Sequence, residues 1–313
     1  MVTFNHVTRR SAAFLPILLL QGCVTPGTDL HLKKAAVVLE QRSDADSLAA
    51  AGLLNSSERK PHLAVDLLTR ATAIAPERAD LAWLQIQICR NNPACDPEQK
   101  AARLRTLVPS NGAAWLNALT QANAADDEAE RITVLSALAR TERVDLYWTT
   151  LIVHLTRAVA DTKEVPLREA LVEVIGVLAA QAIPAYSATS NLCKGDRLNS
   201  AEVVKDCRAV ALAFERGDTY ITEMIGVAIA KRVWPEDSQE WKAAVEARRV
   251  YQYRSEWILK STLSSLKDAQ SAAEYLSLCG IYPREQDLWR AELIADGKSP
   301  DPPPDWTPSV RWP

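Results

Sequence analysis

The chain has 313 residues, with 36 Lys and Arg against 39 Asp and Glu and a formal charge of -3. A mildly acidic chain without a basic cluster excludes nucleic acid as a main partner. Charged residues at 24% and hydrophobic residues at 48% are ordinary for a folded globular protein, and 10 glycines among many Ala, Leu, Glu, Arg and Lys favour helix over strand.

In chain order the first feature is Arg9–Cys23, RRSAAFLPILLLQGC. Its apolar run, Ala12–Leu20, is far shorter than the roughly 20 residues of a spanning helix. With the basic flank Arg9 and Arg10 it has the form of a secretory signal. No later apolar run is long enough to span a membrane, so the body is expected to be soluble. Leu20-Gln21-Gly22-Cys23 resembles a bacterial lipobox, with Gln21 where that family has a small or apolar residue. The resemblance covers residues 1–23 only. It implies cleavage before Cys23, a thioether-linked diacylglycerol on Cys23 and an amide-linked acyl chain such as palmitate on its amine. Several acyl chains, at about 0.8 kcal/mol per buried methylene, would hold the protein firmly to a membrane. Val24 at the next position resembles the proteobacterial signal for transport to the outer membrane, which implies a protein facing the periplasm. A secretory signal cut elsewhere, or a buried N-terminal helix, is the alternative reading. Removal of residues 1–22 leaves 291 residues with a formal charge of -5.

Residues 23–43 read as the lipidated tether. A first helix is predicted from an N-cap at Asp44 or Asp46 through SLAAAGLL, and NSSER breaks it. A second, LAVDLLTRATAIA, stops at Pro76, with Ala64, Leu67, Leu68, Ala71, Ile74 and Ala75 on one face. Leu48 and Gly52 in the first helix, and Ala64, Leu68, Ala71 and Pro76 in the second, resemble a tetratricopeptide repeat. In that family small residues let two antiparallel helices approach closely. Trp83, Trp115 and Trp148 follow at intervals of 32 and 33 residues, near that family's length. Pro97 and the Cys89–Cys95 loop interrupt the second unit, and ADDEAE opens the second helix of the third. The resemblance implies an all-α helix-turn-helix solenoid over residues 44–160; a non-repetitive helical bundle is the alternative.

Residues 161–298 read as an irregular helical domain. LREALVEVIGVLAAQAI is apolar nearly all round, predicting a buried helix ended by Pro184. SAEVVKDCRAVALAFERG runs from a Ser200 N-cap to Gly217. DTYITEMIGVAIAKRVW is capped by Asp218 or Thr219 and ends before Pro235. One long helix or two cover DSQEWKAAVEARRVYQYRSEWILKSTLSSL, followed by AQSAAEYLSLCG and REQDLWRAELIADG. The tail, residues 299–313, is too rich in proline for helix. Its Trp306 and Trp312 are expected to pack back on the helices as a lid, with a partner-docking peptide as the sharper alternative.

The periplasm is oxidising, so Cys89 with Cys95 and Cys193 with Cys207 are expected as local disulfides. Cys279 is then a buried thiol. The spacings do not suit zinc, and the mature chain has only His31, His62 and His154, so no metal or cofactor is expected.

No catalytic motif is present. Gly297-Lys298-Ser299 lacks the upstream glycine of a phosphate loop, since Glu292 stands there. G-x-S-x-G and H-E-x-x-H are missing. Glu215 and Glu223, around the RGDTYIT corner, are the one pair of carboxylates to consider for glycan cleavage. Carboxylates at helix ends are more often solvated or capping. In EARRVYQYRSEW, the residues Arg248, Tyr251, Arg254 and Trp257 form a candidate contact surface. The sequence therefore leads to a lipid-anchored scaffold that binds an envelope protein or peptide through a concave helical face. The alternatives are a cell-wall glycan hydrolase or transglycosylase, and a structural lipoprotein with no single partner.

Overall fold

The computed structural model describes residues 26–308 apart from 59, 91 and 182–185, with backbone only for 26–29 and 259–265. Cys23, Pro184 and Trp312 lie outside the described residues. The helices run α1 Pro26–Glu40, α2 Ala45–Ser57, α3 Pro61–Ile74, α4 Ala79–Cys89, α5 Pro97–Leu107, α6 Leu116–Ala124, α7 Glu128–Leu138 and α8 Trp148–Ala160. They continue with α9 Leu167–Ala180, α10 Tyr186–Leu192, α11 Ala201–Glu215, α12 Tyr220–Val233, α13 Gln239–Ser265, α14 Ala269–Ile281 and α15 Glu285–Ala295. Short 3-10 turns occupy Gly112–Trp115 and Gly195–Asn199. Among the described residues every regular element is helical, so the fold is all-α.

Most boundaries follow from local chemistry. Asp44 accepts from the Ser47 amide at 2.8 Å and starts α2; Asp127 accepts from Glu130 at 3.0 Å and starts α7. Ser200, Thr219 and Asp268 do the same for α11, α12 and α14. The Cys89–Cys95 loop separates α4 from α5, and Pro97 begins α5: Asp96 caps it and Pro97 sits where its missing N–H costs nothing. The segment DSQEWKAAVEARRVYQYRSEWILKSTLSSL holds a single helix, α13, of 27 residues.

Two expectations change. Where a tether was expected, the chain is helical from Pro26, and Leu32, Ala35, Ala36 and Leu39 bury one face of α1 against α2 and α8. Their three- and four-residue spacing is that of a helical stripe. Helix α9 buries Ala170, Leu171, Val174, Val177 and Leu178, but Val172 is 42% exposed, so it is half-buried rather than enclosed.

Consecutive helices pack as hairpins: α2 on α3, α4 on α5, α6 on α7, α8 on α9, and α11 on α12. At the first hairpin Gly52 permits a close approach, because a Cβ there would stand 3.1 Å from Leu68 Cγ and 3.2 Å from the Ala64 carbonyl oxygen. The hairpins do not form an open ladder in which each meets only its neighbours. Helix α2 also packs on α8 and α9, and α14 packs on both of these. One hydrophobic core therefore runs from Leu32 to Leu288 without a break near residue 160. Trp83 is buried in it, and Trp115 and Trp148 pack on it half-buried.

Cys89–Cys95 and Cys193–Cys207 are disulfide-bonded, closing separations of 6 and 14 residues. Cys279 is a buried free thiol on α14. A bridge over about 15 residues stabilises by roughly 3 kcal/mol in the chain-entropy account, and a shorter one by less. Replacing both Cys193 and Cys207 by Ser should therefore lower unfolding stability by about 3 kcal/mol. The Cys89→Ser/Cys95→Ser pair should cost less. Urea unfolding of the two double variants checks the order.

Candidate functional site

The corner between α11 and α12 brings together several acids that burial perturbs. Arg216–Thr219 makes the turn, and Gly217 is required there: a Cβ would run into the Val144 carbonyl oxygen and the Thr222 hydroxyl. Thr219 and Thr222 form a capping box at the start of α12. Asp218, left free of that task, reaches across the molecule. Its carboxylate accepts from the amides of Leu146 at 2.7 Å and Trp148 at 3.3 Å, at the N-terminus of α8. Between them Tyr147 has φ of 58°, and Asn111 holds this strained turn by donating to the Tyr147 hydroxyl and the Asp145 carbonyl.

Glu285, the first residue of α15, repeats the arrangement. Its side chain accepts from the Tyr220 amide at 2.8 Å, at the start of α12, while its own amide donates to the Asp218 carbonyl at 2.8 Å. Gln286 donates to the carbonyls of Gly217 and Thr219 at 3.2 and 3.0 Å. Thr149 donates to the Pro283 carbonyl at 2.7 Å. The N-termini of α8, α12 and α15 thus converge, and two carboxylates from distant positions satisfy the orphan amides of two of them.

Burial pushes the Asp218 carboxyl up to about 7, and the charge of Asp145 adds to it; the backbone amides of Leu146, Tyr147 and Trp148 pull the other way. Burial, with Glu223 nearby, takes Glu285 to about 7. Burial and then Glu223 raise Glu215 to about 6. Burial also raises Glu223, against Gln286 and the charges of Arg284 and Arg254. The structure therefore brings Glu215 and Glu223 within each other's field, where α11 and α12 pack closely at Gly226. Around Glu223, the atoms Glu223 Oε2, Tyr220 OH, Gln286 Oε1 and Arg284 Nε are buried without a hydrogen bond of ordinary geometry. Sequence reasoning missed Asp218 and Glu285 as partners of distant helix ends, since no local signal marks a contact across some 70 residues.

The second place is the outer side of α13. Arg254 donates to the Pro300 carbonyl at 2.8 Å and pairs with Asp301 at 3.1 Å. Tyr251 turns the other way, tilted against the buried Tyr220 at 5.3 Å, and the Lys298 ammonium lies 4.6 Å over the Trp257 ring. Arg249 donates to the Pro303 carbonyl at 2.9 Å, and Trp306 meets Tyr253 edge-on at 5.4 Å. Arg248 lies on another side of the helix, near Lys231, whose pKa its charge lowers after burial has done so. The face consists of Arg249, Tyr253, Arg254 and Trp257; the first, second and last recur every fourth residue, a signal present in the sequence.

A third feature is a cavity of about 280 Å³ between the α2–α3 connection and α9, lined by Ser56, Ser57, Pro61, Ile88, Val177 and Gln181 among others. Its size is at the lower edge of common ligand sites. His154 is turned onto Asp46 at 3.1 Å, and burial pushes the Cys279 thiol up to about 12, so neither is set up as a nucleophilic pair. Among the described residues no group of three His, Cys, Asp or Glu could hold a metal ion, and no helix is long and apolar enough to cross a membrane. Comparison with family models, curated proteins and solved structures gives no match.

The folded chain holds the Asp218 proton more tightly than the unfolded chain does, whose carboxyl titrates near 3.8. Stability linked to this group is fully present below that value and falls as pH rises to about 7. Asp218→Asn keeps one acceptor oxygen and should cost about 1–3 kcal/mol while flattening the pH dependence. Thermal melts from pH 4 to 8 on both chains check this, with Glu285 leaving a residual slope in the variant.

Proposed function

We propose that this chain is a lipid-anchored envelope protein that acts as a helical scaffold for protein–protein interaction. The observation that carries the reading is the use made of the buried acids. Asp218 and Glu285, two carboxyls that burial raises to about 7, are engaged by backbone amides at helix N-termini and hold the fold together there. A catalytic acid needs its proton aimed at a substrate. Two disulfides agree with an oxidising compartment, and the Leu20–Cys23 stretch agrees with lipidation and anchoring there. Long helical hairpins supply broad surfaces for a partner.

A second reading, glycan hydrolysis by Glu215 and Glu223, draws on one observation: both carboxyls are raised by burial, and Glu223 keeps an oxygen without a hydrogen bond. Retaining and inverting enzymes need two carboxyls at set separations flanking an open cleft. Close packing of α11 on α12 at Gly226 leaves little room for one.

Cys23→Ala should abolish incorporation of labelled palmitate and move the protein from the membrane to the soluble fraction. In-cell crosslinking of the unaltered lipoprotein should capture one stoichiometric envelope protein, reduced in the variant. Retention on cell-wall material without a protein partner, together with glycan cleavage lost in Glu223→Gln, would instead establish the hydrolase.

A further inference from the structure

The proline-rich tail lies on α13 in a manner that uses its backbone more than its side chains. Arg249 and Arg254 donate to the carbonyl oxygens of Pro303 and Pro300. Proline carbonyls are good acceptors in such a segment, because prolines supply no donors to one another and the chain forms no internal ladder. Two side chains add discrimination: Asp301 pairs with Arg254, and Trp306 packs edge-on against Tyr253. Pro302 is buried between these contacts. Lys298 covers Trp257 at the start of the tail. Aromatic-lined grooves are what extended proline-rich peptides dock into; here Tyr253 and Trp257 supply the rings, and two guanidinium groups add donors for the proline carbonyls.

The same contacts are suited to exchange. The hydrogen bonds of Arg249 to Pro303 and of Arg254 to Asp301 are exposed to solvent. Exposed polar contacts of this kind hold weakly. The tail joins α15 through Asp296–Ser299, where Gly297 takes φ of 69° and Lys298 folds back. We infer that this face of α13 is a docking site for a proline-rich segment of another envelope protein, one carrying an aspartate and an indole as Asp301 and Trp306 do, and that the tail holds the site in cis until such a segment displaces it. The inference rests on the scaffold reading and names the chemistry of the scaffold's partner.

The probe is a labelled synthetic peptide of residues 299–308, SPDPPPDWTP, followed by fluorescence anisotropy. The opened protein is the full chain with Pro300→Ser, Asp301→Ser, Pro302→Ser, Pro303→Ser and Trp306→Ser. Its folding is confirmed by a cooperative melt and intact disulfides. Saturable binding to the opened chain is expected. Binding to the unaltered chain should be at least about tenfold weaker, because the tethered tail competes at high effective concentration. Arg249→Ala with Arg254→Ala in the opened chain should remove binding. If the five-fold variant does not fold, Trp306→Ala alone should bind the peptide more tightly than the unaltered chain. No saturable binding to a folded opened chain, or equal binding to both, overturns the proposal. So does a concentration-dependent dimer of the unaltered chain that the opened chain fails to form, since the tail would then serve a second copy. Failure to capture an envelope partner would count against the scaffold reading, whereas the peptide titration tests the α13 face by itself.

Discussion

The contact on which the architecture depends is the carboxylate of Asp218 on the amides of Leu146 and Trp148. A helix start leaves donors without partners, and a buried one must find acceptors. Helix α8 begins after Tyr147 in a left-handed conformation, and its N-cap side chain supplies no capping bond. Asp218 supplies the acceptors from another hairpin, about 70 residues away. The consequence reaches far, because α8 is the element on which α1, α2, α9 and α14 pack. Desolvation of the carboxyl opposes this contact, and the backbone hydrogen bonds offset it only in part, so the group's affinity for a proton stays raised. Glu285 then fixes α12 by the same means, and its amide closes the circuit on the Asp218 carbonyl.

This circuit explains which parts of the structure are legible in the sequence. Caps within three residues of a helix start can be read directly: Asp44, Ser200 and Thr219 stand where the residue types say they should. Both disulfides are legible too, since each closes a short local loop. Helix α1 carries a readable stripe at Leu32, Ala35, Ala36 and Leu39, obscured by its nearness to the expected anchor. The return of α8 and α9 onto α2 of the first hairpin carries no such signal. A repeat-like spacing of tryptophans describes each helix's own pattern and leaves its distant neighbours unspecified. Asp218 reads as a local cap for α12 because local capping is the commoner use of that residue. Thr219 performs that role, which releases Asp218 for the long-range contact.

The site residues divide along the same line. Of the four residues that the alternation of aromatic and guanidinium groups suggests, Arg254 and Trp257 lie on the face that meets the tail. Arg248 and Tyr251 belong to other sides, Tyr251 packing on Tyr220, and Arg249 with Tyr253 completes the face. What occupies that face cannot be read from α13 alone, because the occupant is a proline-rich segment some fifty residues further on.

Interior and surface therefore hold different chemistry. Inside, carboxylates face backbone amides, and most of the capacity of the two central acids is committed to helix ends. Acid–base catalysis at that corner would need a carboxyl that changes protonation without loosening α8 or α12, and neither Asp218 nor Glu285 is placed to do so. Glu223 is the acid there with an oxygen left over, and it sits beside Gln286, which is already donating to the corner carbonyls. Outside, arginines face proline carbonyls through bonds that are exposed or only partly buried. Two covalent bridges and a buried polar circuit tie the helices together behind this basic, aromatic face, and the scaffold proposal draws on that face rather than on the acids of the corner.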